Sequence, residues 1–200
     1  MKQALPLIAL LAAAPALAED SRQLDAHEHG VGALNIAIEG TTVAMEFYAP
    51  GADIVGFEYA ANSDADRAAI DAAVATLAAP LKLFVFPGAA ECSVTHASAG
   101  LESEEEHHEG HKEHDEHAKH EEHDKHADHD EHAEEAGHTE FHAEYMLTCA
   151  HPEKMTEINF AYFDTFENAR ELEVQVVSGI GAQAFEVVRE APTLDLRSLF

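Results

Sequence analysis

The chain reads as a mainly β protein: an antiparallel, sandwich-like sheet domain with one clear helix and one long His/Asp/Glu-rich loop, with α+β as the alternative class. Three observations give this reading. Apolar and polar residues alternate through several short runs, the signature of strands with one buried face. One stretch, about 63–79, carries helical periodicity instead. Between 101 and 137 the apolar content collapses to scattered alanines.

In order along the chain, the larger apolar residues of Leu34-Asn35-Ile36-Ala37-Ile38 fall on alternate positions, and Val43 to Phe47 alternates again. Glu39-Gly40-Thr41 between them is a turn signal, so the pair predicts a β-hairpin, ended by Pro50-Gly51. In the helical stretch Ser63 or Asp64 can cap, and Asp66 places acid where the helix dipole favours it. Ile70, Val74 and Leu77 then share one face, and Pro80 stops the helix. A short apolar run follows at Leu81 to Phe86, and a strand is predicted at Cys92 to His96. After the acidic segment, Phe141, Ala143, Tyr145, Leu147 and Cys149 define one face of a strand. Ile158, Phe160 and Tyr162 predict another, Leu172 to Val176 a third, and Phe185 to Val188 the last, with Gly179 and Gly181 turning the chain between the final two.

Met1-Lys2, an apolar stretch from Ala4 to Pro15 and the Ala16-Leu17-Ala18 motif read as a cleaved export signal over 1–18. The mature chain is then expected at 19–200, a single domain interrupted by the loop at 101–137. No later apolar run approaches the ~18 residues of a membrane span, so no membrane insertion is expected. The net charge of −28 disfavours nucleic acid and anionic bilayers, which would repel the chain, and favours cations as partners. Export to an oxidising compartment makes Cys92 and Cys149 a disulfide pair, with a pair of thiolate metal ligands as the competing reading.

The sequence holds 16 histidines, and most stand in one run. His108, His111, His114, His117, His120, His123, His126, His129 and His132 recur every 3 residues, preceded by His107 and interleaved with Asp and Glu. Imidazole suits Zn²⁺, and also Cu²⁺ and Ni²⁺ in vitro, while carboxylates add negative potential and complete shells. A step of three falls short of a helical turn, so the series drifts around any helix. It predicts several labile, overlapping sites. So polar a segment cannot offset its ordering entropy, and disorder without metal is expected. Carboxylate neighbours favour imidazolium, so loop affinity is expected to fall on mild acidification. A solvated low-complexity linker and a pH sensor are the competing readings.

A sharper set lies outside the run. His27 and His29 are two apart; His138, Glu140 and His142 continue at intervals of two, on the strand face opposite Phe141, Ala143 and Tyr145. If the His27-Glu28-His29-Gly30 segment runs beside that strand, these imidazoles and Glu140 can converge on tetrahedral zinc. Two unrelated surface pairs would look the same in sequence. Glu58 reads either as an acid supporting a ligand or as a strand-end charge, and His96 and His151 as surface histidines.

Taken in order, these elements resemble the ZrgA-like periplasmic zinc-uptake accessory family. The resemblance rests on His27-Glu28-His29-Gly30 and its hairpin, Gly56-Phe57-Glu58, Cys92 ahead of a variable His/Asp/Glu insert, His138 through Tyr145, and Cys149. It continues through Phe163-Asp164-Thr165-Phe166, Glu173 to Val177, and Gly181-Ala182-Gln183. It implies a soluble periplasmic protein that binds zinc and supports a zinc ABC importer. No enzymatic activity is expected. The family pattern carries His after Gly-Phe-Glu, where Tyr59 stands here. Sequestration of excess Zn, Cu or Ni in metal resistance is the alternative function; a zinc hydrolase would need an open zinc position and a base, and no HExxH motif is present.

Overall fold

The computed structural model describes residues 28–103 and 138–199. The expected export signal, His27 and the histidines from His107 to His132 lie outside the described residues.

The predicted hairpin forms from β1 (Val31–Glu39) and β2 (Thr42–Pro50). Gly40, at φ 57°, makes its turn. Leu34 and Ile36 of β1, and Val43, Met45, Phe47 and Ala49 of β2, point to the core, and the residues between them point out. After the one-turn helix α1 (Gly51–Ile54), the longer helix α2 runs over Asp64–Leu77. Ser63 caps it in a reciprocal capping box with Asp66, as the sequence predicts. A short helix α3 (Pro80–Leu83) leads into β3 (Phe84–Val85).

Strands β4 (Cys92–Ser103) and β5 (Thr139–Cys149) pair antiparallel from Cys92–Cys149 to Ser103–Thr139, with a register shift between Val94 and His96. Then come β6 (Glu157–Phe160), the one-turn helix α4 (Tyr162–Thr165), β7 (Glu171–Ser178), β8 (Gly181–Val188) and β9 (Thr193–Asp195). The main sheet has the order β4-β5-β2-β1-β7-β8; the small sheet has the order β3-β6-β9.

The small sheet packs on the inner face of the main one. Phe84 is the centre of that packing: its ring lies 5.8 Å from Phe47, 6.2 Å from Tyr145 and 6.0 Å from Phe160. Tyr162, Phe47, Phe141 and Phe163 fill the remaining space without exposure. The other face of the main sheet carries Asn35, Glu46, Glu144 and Gln175 together with the apolar Ala37, Ala44, Met146 and Val177.

The mainly β class is therefore correct, with four differences in detail. β1 and β7 pair in parallel, so the main sheet is mixed; side-chain alternation carries no information on strand direction. Tyr162 lies in α4, not in a strand, and its burial among Phe47, Phe163 and Phe166 produced the apparent alternation. β4 runs through Ser103, beyond the expected loop start at 101, because Leu101, Glu102 and Ser103 pair with Phe141, Glu140 and Thr139. β9, three residues long, has too short a period to be read from sequence.

Cys92 and Cys149 form the disulfide, as directly opposed partners of β4 and β5. Cys149 is fully buried against Met155, whose sulfur is 3.6 Å away.

Candidate metal centre

Two imidazole–carboxylate clusters form on the described residues, one using His138 just before β5 and the other His142 within it.

The first gathers at the start of β1. Glu28 to Gly30 form a turn, in which Val31 N–H donates to the Glu28 carbonyl at 3.0 Å. Gly30 adopts φ 96°, a conformation that strains any residue with a Cβ. Its N–H donates to both oxygens of Asp53, at 2.8 and 3.0 Å. Asp53 sits in α1 and is 2 % exposed. Burial pushes its carboxyl above the usual range, opposed by the Gly30 hydrogen bond and by nearby His29. This buried acid fixes the turn that presents His29.

Gly51 draws the remaining parts together. A Cβ on it would lie 2.3 Å from Thr139 Oγ1 and 2.8 Å from the Phe57 carbonyl oxygen. Only glycine lets the start of α1, the Phe57-Glu58 segment and the start of β5 approach this closely. As a result Glu58 meets His138. One carboxylate oxygen, Glu58 Oε2, lies 3.1 Å from His29 Nε2 and 3.4 Å from His138 Nδ1. The Glu58 side chain is 12 % exposed, against 62 % for His29 and 55 % for His138. Its other oxygen, Oε1, is buried and accepts no hydrogen bond. Such an orphaned oxygen is costly unless a cation or donor completes it. Tyr59, at the position where the family pattern has histidine, stacks on Phe57 at 4.7 Å and is exposed.

The second cluster lies on the open face of the main sheet. His142 stacks on Tyr48, its cross-strand partner, with centroids 4.4 Å apart and rings 2° from parallel. Its Nδ1 is 3.0 Å from Glu102 Oε1 and its Nε2 is 3.5 Å from Glu46 Oε1. One ligand atom each from Glu46, His142 and Glu144 lie within 4.8 Å of one another. Tyr48 donates its hydroxyl to Glu46 Oε1 at 2.5 Å.

The sequence-predicted ligands thus divide. His29 and His138 come together, as the convergence of the two segments requires. His142 does not join them, because four residues of extended chain place it roughly 13 Å from His138. Glu140 points to the same outward side, opposite Pro50 of β2 and Glu102 of β4. Glu58 lies beside His29 and His138 rather than standing as a free strand-end charge. His96 is exposed on β4, and His151 lies 3.8 Å from Glu153. Sequence reasoning missed Glu46, Glu102, Glu144 and Asp53. Glu144 was within reach, since it continues the His138-Glu140-His142 interval by one more step; the others needed the strand register.

Fold and clusters together define a β protein that presents imidazole and carboxylate groups suited to a divalent transition cation. Residues 26–196 match the family model of the ZrgA family zinc uptake proteins, and the chain belongs to that family. A comparison with curated proteins gave no match. Among the described residues, no helix is long and apolar enough to cross a membrane.

Proposed function

We propose that the protein is a periplasmic, non-enzymatic zinc carrier that captures zinc and supplies it to a zinc ABC importer. Membership of a zinc-uptake family supports uptake over sequestration of excess metal, and the disulfide suits an oxidising compartment. The observation that carries the reading is Glu58, a nearly buried carboxylate with one oxygen facing two imidazole nitrogens and the other without a hydrogen bond.

Zinc is cargo in this scheme. His29, His138 and Glu58 supply two nitrogens and a carboxylate, a common donor set for zinc. The two imidazoles are more than half exposed, so a partner protein can reach the ion they hold. The histidines from His107 to His132 bind further ions weakly and exchange them quickly. They raise the zinc concentration beside His138, the residue that follows their segment. Zinc must displace protons from the imidazoles, so capture weakens as pH falls.

Zinc titration calorimetry of the full chain tests the proposal. One tight event followed by weaker ones is expected. Glu58→Ala, and separately His29→Ala with His138→Ala, are expected to remove the tight event and leave the weak ones. Loss of the weak events alone, with the tight one intact, overturns the assignment.

A further inference from the structure

We propose a second divalent-cation site on the open face of the main sheet, formed by His142 Nε2 with the carboxylates of Glu46 and Glu144. It is separate from the cluster at Glu58 and does not depend on the capture role assigned there.

The first support is the placement of the imidazole. The Nδ1 of His142 faces Glu102 Oε1 at 3.0 Å. A carboxylate accepts only, so Nδ1 carries the proton in that contact. The Nε2 atom is shielded from solvent and has no hydrogen-bond partner. It faces Glu46 Oε1 at 3.5 Å, an oxygen that also accepts from the Tyr48 hydroxyl. A ring nitrogen and a carboxylate oxygen set this way can share a divalent cation. A carboxylate on one ring nitrogen, with the other nitrogen directed at an ion, is the usual support of a metal-bound histidine.

The second support is the strand register. Glu46 and Glu144 are directly opposed across β2 and β5, and Glu102 and Glu140 directly opposed across β4 and β5. Like charges directly opposite one another destabilise a sheet. A divalent cation beside His142 reverses the sign of the Glu46–Glu144 contact.

The third support is rigidity. All three donors stand on paired strands, the ring is held against Tyr48 at 4.4 Å, and Tyr48 also donates to Glu46. Ligand atoms already within 4.8 Å of one another need only small side-chain rotations to reach zinc at about 2.0–2.2 Å. With one nitrogen and two carboxylates, the site is harder in character than the paired imidazoles at Glu58. It is expected to accept Mn²⁺ or Co²⁺ as well as Zn²⁺.

The test is long-range ¹H–¹⁵N NMR of the histidine rings in the full chain, titrated with Zn²⁺. His142 is assigned from a His142→Ala spectrum. On zinc addition, Nε2 of His142 is expected to move to the metal-bound position while Nδ1 keeps its hydrogen bond to Glu102. Glu46→Gln with Glu144→Gln, which preserves side-chain shape, is expected to abolish that shift and leave the His29 and His138 responses unchanged. Glu102→Gln, distant from the ion, is expected to raise the zinc needed at His142 about 10- to 100-fold. A His142 ring that stays unshifted after His29 and His138 have saturated overturns the proposal, and so does a shift that survives in the double variant. If His142 responds and His29 and His138 do not, the second site stands and the capture reading at Glu58 falls.

Discussion

The backbone N–H of Gly30 is shared between the two carboxylate oxygens of Asp53, 23 positions further along the chain. This contact ties the His29 turn to α1, and its removal has a defined cost. Asp53→Ala leaves the buried Gly30 N–H unsatisfied and is expected to destabilise the fold by about 1–3 kcal/mol. Urea unfolding at neutral pH measures this.

Asp53→Asn separates the charge from the hydrogen bond. Burial raises the folded-state pKa of Asp53 above its ordinary 3.8. The folded chain therefore holds a proton that the unfolded chain releases between these two pH values. Stability from this group is full below 3.8 and is lost as pH rises through the folded pKa. Asparagine does not titrate. The unfolding free energy of the Asn variant, relative to the parent, is expected to increase as pH rises from below 4 and then level off. A difference that moves the other way contradicts the assignment.

Gly51→Ala is expected to harm stability and zinc capture together. The new methyl meets Thr139 Oγ1 at 2.3 Å and the Phe57 carbonyl at 2.8 Å, next to His138 and Glu58 respectively. Overpacking of this kind costs about 1–3 kcal/mol. The tight zinc event should weaken in parallel, while an overpacking variant far from the site would lower the melting temperature alone.

The Cys92–Cys149 bridge spans 57 positions. In the chain-entropy account, a loop of that length gives about 4 kcal/mol. Replacing both cysteines by alanine is expected to cost that order of stability by urea unfolding. Adding a reductant to the double variant should have no further effect.

Ser63→Ala removes the hydroxyl that accepts from Asp66 N–H at 3.0 Å, and with it one half of the capping box. A loss of about 1 kcal/mol is expected. Zinc binding should be unchanged, because neither Ser63 nor Asp66 belongs to either cluster.

Local chemistry made much of this molecule legible in the sequence. The Glu39-Gly40-Thr41 turn, the Ser63 cap and the alternation from Phe141 to Cys149 each depend on neighbours in the chain, and each was read correctly. The two segments that bring His29 and His138 to Glu58 are marked in the sequence by their shared interval of two. What was not legible depends on register. Glu46 meets His142 only because β2 and β5 align Tyr48 with His142. Glu58 meets His138 only because Gly51 lets two backbones press together. Neither relation leaves a periodic trace. His142 stands four strand residues beyond His138, a spacing of roughly 13 Å that the interval of two does not reveal.

The β4–β5 hairpin is fastened at both ends. At its base Cys92 and Cys149 are covalently joined, and at its tip Ser103 pairs with Thr139. Whatever chain connects Ser103 to His138 leaves and returns at adjacent points of a rigid ladder. For a connection closed in this way, each doubling of length costs only about 0.6 kcal/mol. The length of that connection can therefore change with little consequence for the sheet, while the residues around Glu58 and His142 stay where the ladder puts them.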